Sequence, residues 1–260
     1  MNIKKNIFIT NDDGIAAKGL HSLIEMARPY GVITVVAPQE PQSGMSSAVT
    51  FKKPIRLHEH RREEGVVCYV CTGTPVDCVK VGMSQLFHDQ VPDLLLSGIN
   101  HGSNASAAVL YSGTLGAATE GLLYGIPSIA FSLTTLHNPD ADFSASIHYG
   151  RMIIEQFFKQ PPSSDIFIDI NIPELPKEEI RGIRMARQGK GAWIKEFEKR
   201  IDPHGVPYYW LTGEFRNDEP HAIDTDVNLL NQQYITIVPH QVDTTHYAEL
   251  RRLEQIWTFK

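Results

Sequence analysis

Two aspartates stand side by side in "TNDDG", Asp12 and Asp13, where an apolar run stops. Neighbouring carboxylates repel, so a pair held close needs a cation or a shared proton. An Asp-Asp-Gly turn capping a helix is the plain alternative for the motif in isolation. Further polar residues follow other apolar runs. "VVAPQEPQSG" brings Ser43 and Gly44, "LLLSGINHGSN" brings Asn100, His101 and Asn104, and "YSGTLGAA" brings Ser112, Gly113 and Thr114. A hard divalent ion accepts carboxylate, hydroxyl and amide oxygens. Asp12 and Asp13 balance its charge, and Ser43 and Asn100 can add a hydroxyl and an amide oxygen. Such a near-neutral site would admit a phosphate dianion.

The rest of the polar set suits that anion. Glycines let backbone approach it closely, and Ser112-Gly113-Thr114 offers hydroxyls and N–H groups at the positive end of a helix. A satisfied helix cap is the alternative reading of that stretch. Asn11, Gly44, Asn104, Ser112, Gly113, Thr114 and His101 are therefore the substrate-binding candidates, and Asp12, Asp13 and Asn100 the catalytic ones. His101 can protonate a leaving oxygen or hydrogen-bond a phosphate, although a lone loop histidine is more often peripheral. No G-x-x-x-x-G-K-[ST] loop is present, no G-x-G-x-x-G follows the first strand, and "YSGTLG" is not a G-x-S-x-G elbow, which argues against an NTPase, a dinucleotide enzyme and an α/β-hydrolase.

The elements that must position these residues read as a parallel sheet. Asn6 to Thr10 is a short buried strand, Leu20, Leu23, Ile24 and Ala27 fall at helical spacing, and Val32 to Ala37 is a second β-branched run. Residues 43–72 hold strand-like runs with no helix between them, an antiparallel excursion. Thr74-Pro75-Val76-Asp77 is a helix start. Strands 93–97 and 128–132 flank a helix near 114–124, and a helix over 143–158 precedes the strand "DIFIDINIP". In such doubly wound sheets ligands bind beyond the carboxyl ends of the strands, which is where all four polar segments fall. Beyond about residue 180 the order gives way to hairpins and long loops, with "YITIVP" a late strand. The division expected is a core over 1–180 and a C-terminal region over 181–260. Tyr247, Leu250, Leu253 and Trp257 place an apolar face on a short terminal helix, which is marginal alone and must dock somewhere.

Composition sets the outer bounds. The 260 residues are 42% hydrophobic and 21% charged, with net charge −6. That gives no basic field for nucleic acid or an anionic membrane. No run approaches a membrane span, and the start shows no signal-peptide core, so a cytoplasmic protein is expected. Cys68 and Cys71 form a C-x-x-C on a β-rich run and with Cys78 make three thiols, short of a fourth metal ligand, so buried structural thiols are expected.

"TNDDG", "APQEPQSG", "GTPVDC", "SGINHGSN" and "YSGTLGAA", in this order and spacing, resemble the SurE family of survival protein E nucleotidases. "DPHGVPYYWLTG" and "DTDVNLLNQQYITIVPHQVD" extend the resemblance over nearly the whole chain. It implies a phosphatase that uses one divalent ion per subunit, Mn²⁺ or Mg²⁺, to release phosphate from nucleoside 5′- and 3′-monophosphates, with short polyphosphate a further substrate of some members. It carries the metal ligands onto Asp12, Asp13, Ser43 and Asn100. It implies a Rossmann-like α/β three-layer sandwich with a mostly parallel sheet and a C-terminal extension that builds homodimers or homotetramers by exchanging tails. Family members often carry basic residues before the ligand serine, whereas this chain has Gln39-Glu40-Pro41-Gln42. The Asp224-Thr225-Asp226 run also has Asp where glycine is usual. Two rivals follow from the residues. A haloacid-dehalogenase-like phosphatase would need D-x-D after the first strand, which is absent, and a non-enzymatic nucleotide-binding or assembly protein would bind without turnover.

Overall fold

Alternation in the first strand decides how the layers form. In β1 (Lys5–Thr10), Ile7 and Ile9 face one buried cluster and Phe8 the opposite one, because successive strand side chains point to opposite faces. The structure is a computed structural model that describes residues 4–88, 90–135, 138 and 140–259. Residues 1–3, where the reading of the N-terminus begins, and Lys260 at the end of the tail lie outside it. Helix α1 (Lys18–Ala27) places Leu20, Leu23 and Ile24 on the Ile7 and Ile9 side and leads to β2 (Gly31–Pro38). The hairpin β3 (Leu57–Glu63) and β4 (Val66–Cys71) is antiparallel, yet β4 itself runs parallel to β2. The expected excursion is thus half correct: β3 is the antiparallel edge, and β4 belongs to the parallel sheet. Residues 48–56 form no strand, since Pro54 and the Lys52-Lys53 pair interrupt the ladder pattern.

Helix α2 (Pro75–Gln85) begins as its sequence predicts, with Thr74 as N-cap in a complete capping box with Asp77. Then come β5 (Leu94–His101), α3 (Gly113–Leu123), β6 (Ser128–Thr134), α4 (Ser144–Lys159) and β7 (Ile166–Pro173). After β7 the chain forms β8 (Ile183–Met185), β9 (Gly191–Ile194), β10 (Phe197–Ile201), β11 (Pro207–Leu211), β12 (Glu214–Asn217), α5 (Asp226–Asn231), β13 (Ile235–Gln241) and α6 (Tyr247–Ile256). Nine strands form one sheet in the order β3-β4-β2-β1-β5-β6-β7-β13-β8, and β10-β11 and β12-β9 are separate hairpin ribbons. Only the β3–β4 and β7–β13 pairings in the large sheet are antiparallel. Helices α1 and α4 cover one face, and α2 and α3 the other, which makes the three-layer α/β sandwich.

The connectivity creates a crevice. From β1 the chain builds outward through β2 and β4, then crosses to β5 on the other side of β1. Carboxyl-end loops diverge at such a switch point and leave room for a ligand. Asp12 and Asp13 follow β1, and Asn100 and His101 end β5. The sequence places these last two in a loop after residue 97. The structure instead carries the strand through an irregularity, after which Asn100 pairs with Ser132 and His101 with Leu133 of β6. Sheet pairing, rather than a free loop, therefore fixes them. All three cysteines are free and buried, and no helix among the described residues is long and apolar enough to cross a membrane.

Candidate active site

Asp12 lies almost wholly out of solvent, at 3% exposure. Its Oδ1 accepts a 2.5 Å hydrogen bond from Thr114 Oγ of α3. Gly113 permits that approach: a Cβ there would sit 2.9 Å from Asp12 Cβ. Burial first, and then the charge of Asp13, push the Asp12 carboxyl from 3.8 up to about 6. Asp13 points its Oδ2 at His101, 3.1 Å from the backbone N–H and 3.3 Å from ring Nδ1. The His101 ring in turn meets Phe143 edge-on with centroids 5.0 Å apart.

The neighbouring segments are tied to one another. The Gln42 N–H donates to the Asp12 carbonyl at 2.7 Å, which fixes the loop bearing Ser43 and Gly44 to the aspartate turn. Ser46 Oγ donates to the Leu110 carbonyl at 2.8 Å. Asn100 Nδ2 donates to the Gly102 carbonyl at 2.8 Å. Asn104 is held through its N–H to Asn171 Oδ1 and its Nδ2 to Ser132 Oγ, both at 2.8 Å. Ser112 caps α3 by accepting from the Leu115 N–H at 3.1 Å.

These groups open on a cavity of about 830 Å³, within the usual size range of small-molecule sites. Asp12, Ser43, Gly44, Asn100, His101, Asn104 and Ser112 lie on its wall. Asp13 stands behind His101. Asn11 and Thr114 are fully buried beneath the wall, Asn11 Nδ2 donating to the Gly14 carbonyl at 2.9 Å. Tyr111, Trp193, Glu196, Leu211 and Thr212 line the cavity as well. Trp193, Glu196 and Leu211 escape a residue-by-residue reading, because nothing near them in sequence bears on the aspartates. The aromatic string "PYYWL" is the one local sign that this hairpin does more than connect.

The donor set suits a hard cation. Among the described residues no three His, Cys, Asp or Glu side chains converge as a metal cluster, so two carboxylates would be completed by neutral oxygens and water. Asn11 Oδ1, beside the pair, is buried with no hydrogen-bond partner among the described residues, and buried Asp12 next to Asp13 crowds negative charge into one place. A divalent ion would relieve that crowding.

Comparison with known proteins decides the family. The model for "Survival protein SurE" matches residues 7–195. The chain belongs to the SurE family. Among similar relatives in this family are the 5′-nucleotidase SurE of Phocaeicola vulgatus, 44% identical over 96% of this chain and 96% of the relative, and that of Chlorobium chlorochromatii, 40% identical over 98% of this chain and 92% of the relative. The SurE crystal structure from Aquifex aeolicus superposes with a TM-score of 0.83 at 33% identity, covering 96% of this chain and 99% of that one. The SurE fold thus includes the hairpin ribbons as well as the sheet.

Proposed function

We propose that this protein is a metal-dependent 5′-nucleotidase that hydrolyses nucleoside 5′-monophosphates, and with them 3′-monophosphates, to nucleoside and phosphate. The observation that carries this reading is the carboxylate pair at the sheet's switch point, with Asp12 on the wall of a cavity that polar and aromatic side chains both line. Asp12, Asp13, Ser43 and Asn100 would hold the ion. A bound Mn²⁺ or Mg²⁺ supplies a Lewis acid for the phosphoryl group and a more acidic water. Asp13, oriented by His101, accepts the proton of the attacking water. Asn104 and Ser112, with the N–H groups opening α3, bind the phosphoryl oxygens, where a positive helix end stabilises developing charge. His101 steadies the leaving oxygen. The residues beneath the wall serve this set indirectly: Asn11 shapes the aspartate turn, and Thr114 orients Asp12.

The nucleoside lies against Tyr111, Trp193 and Leu211. Short polyphosphate is the weaker substrate in this reading, because among the described residues no Lys or Arg lines the cavity, whereas Glu196 does. Catalytic groups lie in residues 1–180, and the surfaces for a homodimer or homotetramer in 181–260. The unburied helix α6 supports an exchanged tail: Tyr247, Leu250, Ile256 and Trp257 are all exposed in the single chain. Incubation with AMP and Mn²⁺ should release free phosphate, with inversion at phosphorus from single displacement. Saturable AMP binding without turnover would instead support the non-enzymatic reading, and retention of configuration would point to a phosphoenzyme.

A further inference from the structure

Ser106 adopts φ +56°, a left-handed conformation that non-glycine residues rarely hold unless their surroundings impose it. Here the imposition is complete. The Ser106 N–H donates to Asp226 Oδ2 at 2.8 Å, Ser106 Oγ donates to the Gly189 carbonyl at 2.8 Å, and the Ser106 carbonyl accepts from Gln188 Nε2 at 3.0 Å. Asp226 is fully buried. Its other oxygen accepts from the N–H groups of Gly189 at 2.8 Å and Val227 at 2.7 Å. A Cβ on residue 189 would come to 3.0 Å from that oxygen, so glycine keeps the contact open. A buried carboxylate without a cation is tolerated only when hydrogen bonds saturate it, and three backbone N–H groups do so here.

The two segments joined by this carboxylate both line the cavity. Ser106 opens the turn that leads to Ala108 and Tyr111, and Gly189 leads into β9 and Trp193. The polar lining is anchored separately. Asn104 is held by Asn171 and Ser132, and the Ser43 loop by the Asp12 carbonyl. We propose that Asp226, acting through Ser106 and Gly189, is a positioning residue that sets the spacing of the walls meeting the nucleoside. This rests on the phosphomonoesterase reading for its substrate but not for its geometry.

The test compares wild type, Asp226→Asn and Ser106→Gly at saturating Mn²⁺. Asn would set an amide N–H₂ or a single oxygen against groups that now share two acceptors. Gly suits the left-handed φ, so Ser106→Gly should remain folded while losing the hydroxyl contact. KM for AMP is expected to rise about tenfold in Asp226→Asn and about threefold in Ser106→Gly, with kcat nearly unchanged. Inhibition by inorganic phosphate, which meets only the polar lining, should stay within about twofold. Amide hydrogen exchange over 103–112 and 186–194 should accelerate in both segments together. Equal rises in KM and in the phosphate inhibition constant, an unchanged KM, or faster exchange in one segment alone would overturn the proposal. If Asp226→Asn does not fold, Ser106→Gly decides by the same criteria. A wild type that leaves AMP intact would sink the nucleotidase reading, and the exchange result would then decide the clamp alone.

Discussion

Asp13→Asn removes one of the two adjacent negative charges while keeping side-chain size. The variant should fold, lose at least about two orders of magnitude of AMP hydrolysis, and lose most of the rise in melting temperature that Mn²⁺ gives the wild type, since a ligand bound only by the folded state stabilises it. Calorimetry with and without Mn²⁺, beside a phosphate-release assay, checks both halves. Asp12 makes a separate pH prediction. Its folded carboxyl is raised from 3.8 to about 6 by burial and by Asp13, so the metal-free fold keeps a proton that the unfolded chain sheds. Stability from this group is fully present below the unfolded value and is lost as pH rises towards the folded one, by about 3 kcal/mol in all. The gap in melting temperature between Mn²⁺-loaded and metal-free protein should therefore widen from pH 5 to pH 7. A constant gap would count against Asp12 as a ligand. That Asp12, Ser43 and Asn100 share one cavity was legible in sequence, because each sits in a short polar string ending an apolar run. Asn171 and Asp226 were not. Their partners, Asn104 and Ser106, lie 67 and 120 residues away, and no local pattern records such a bond.

At the scale of elements, the helix start at Thr74 was the clearest signal, because a capping box is local chemistry. Thr74 Oγ accepts from the Asp77 N–H at 3.1 Å, and Asp77 Oδ2 accepts from the Thr74 N–H at 2.9 Å. Asp77 also ties down Thr50 through both its N–H and hydroxyl. Thr74→Ala should lower unfolding stability by about 1–2 kcal/mol and leave kcat unchanged, as chemical denaturation and steady-state kinetics would report. Strand ends were less legible. The runs 93–97 and 128–132 were found, but the first continues to His101 only by pairing across an irregularity, and the second reaches Thr134 by pairing with β7. β8 is only three residues long, too short for any periodicity to mark.

For the whole molecule, the parallel core was readable because β-α-β units repeat in register with the chain. The placement of the late strands was not, because β13 and β8 join the sheet by long-range pairing. The tail gives the prediction at this scale. Every residue of α6 escapes full burial, and a ten-residue helix is marginal without a partner, since isolated helices need roughly 12–15 residues or more. Truncation after Gln241 should therefore shift the protein towards monomer at micromolar concentration by light scattering. The Mn²⁺-induced rise in melting temperature should remain, since Asp12, Asp13, Ser43 and Asn100 are untouched.

The position of β13 between β7 and β8 also bears on biosynthesis. As the chain leaves the ribosome, the six parallel strands are finished once β7 ends at Pro173, but the strand that covers β7 begins only at Ile235. At about 5–20 residues per second, those intervening residues take roughly 3–12 s to make. For that interval β7 presents an open edge carrying the apolar run "IFIDINIP", the kind of exposed strand that other chains can pair with. Nascent protein is therefore most prone to aggregate, and most in need of a chaperone, between completion of β7 and arrival of β13.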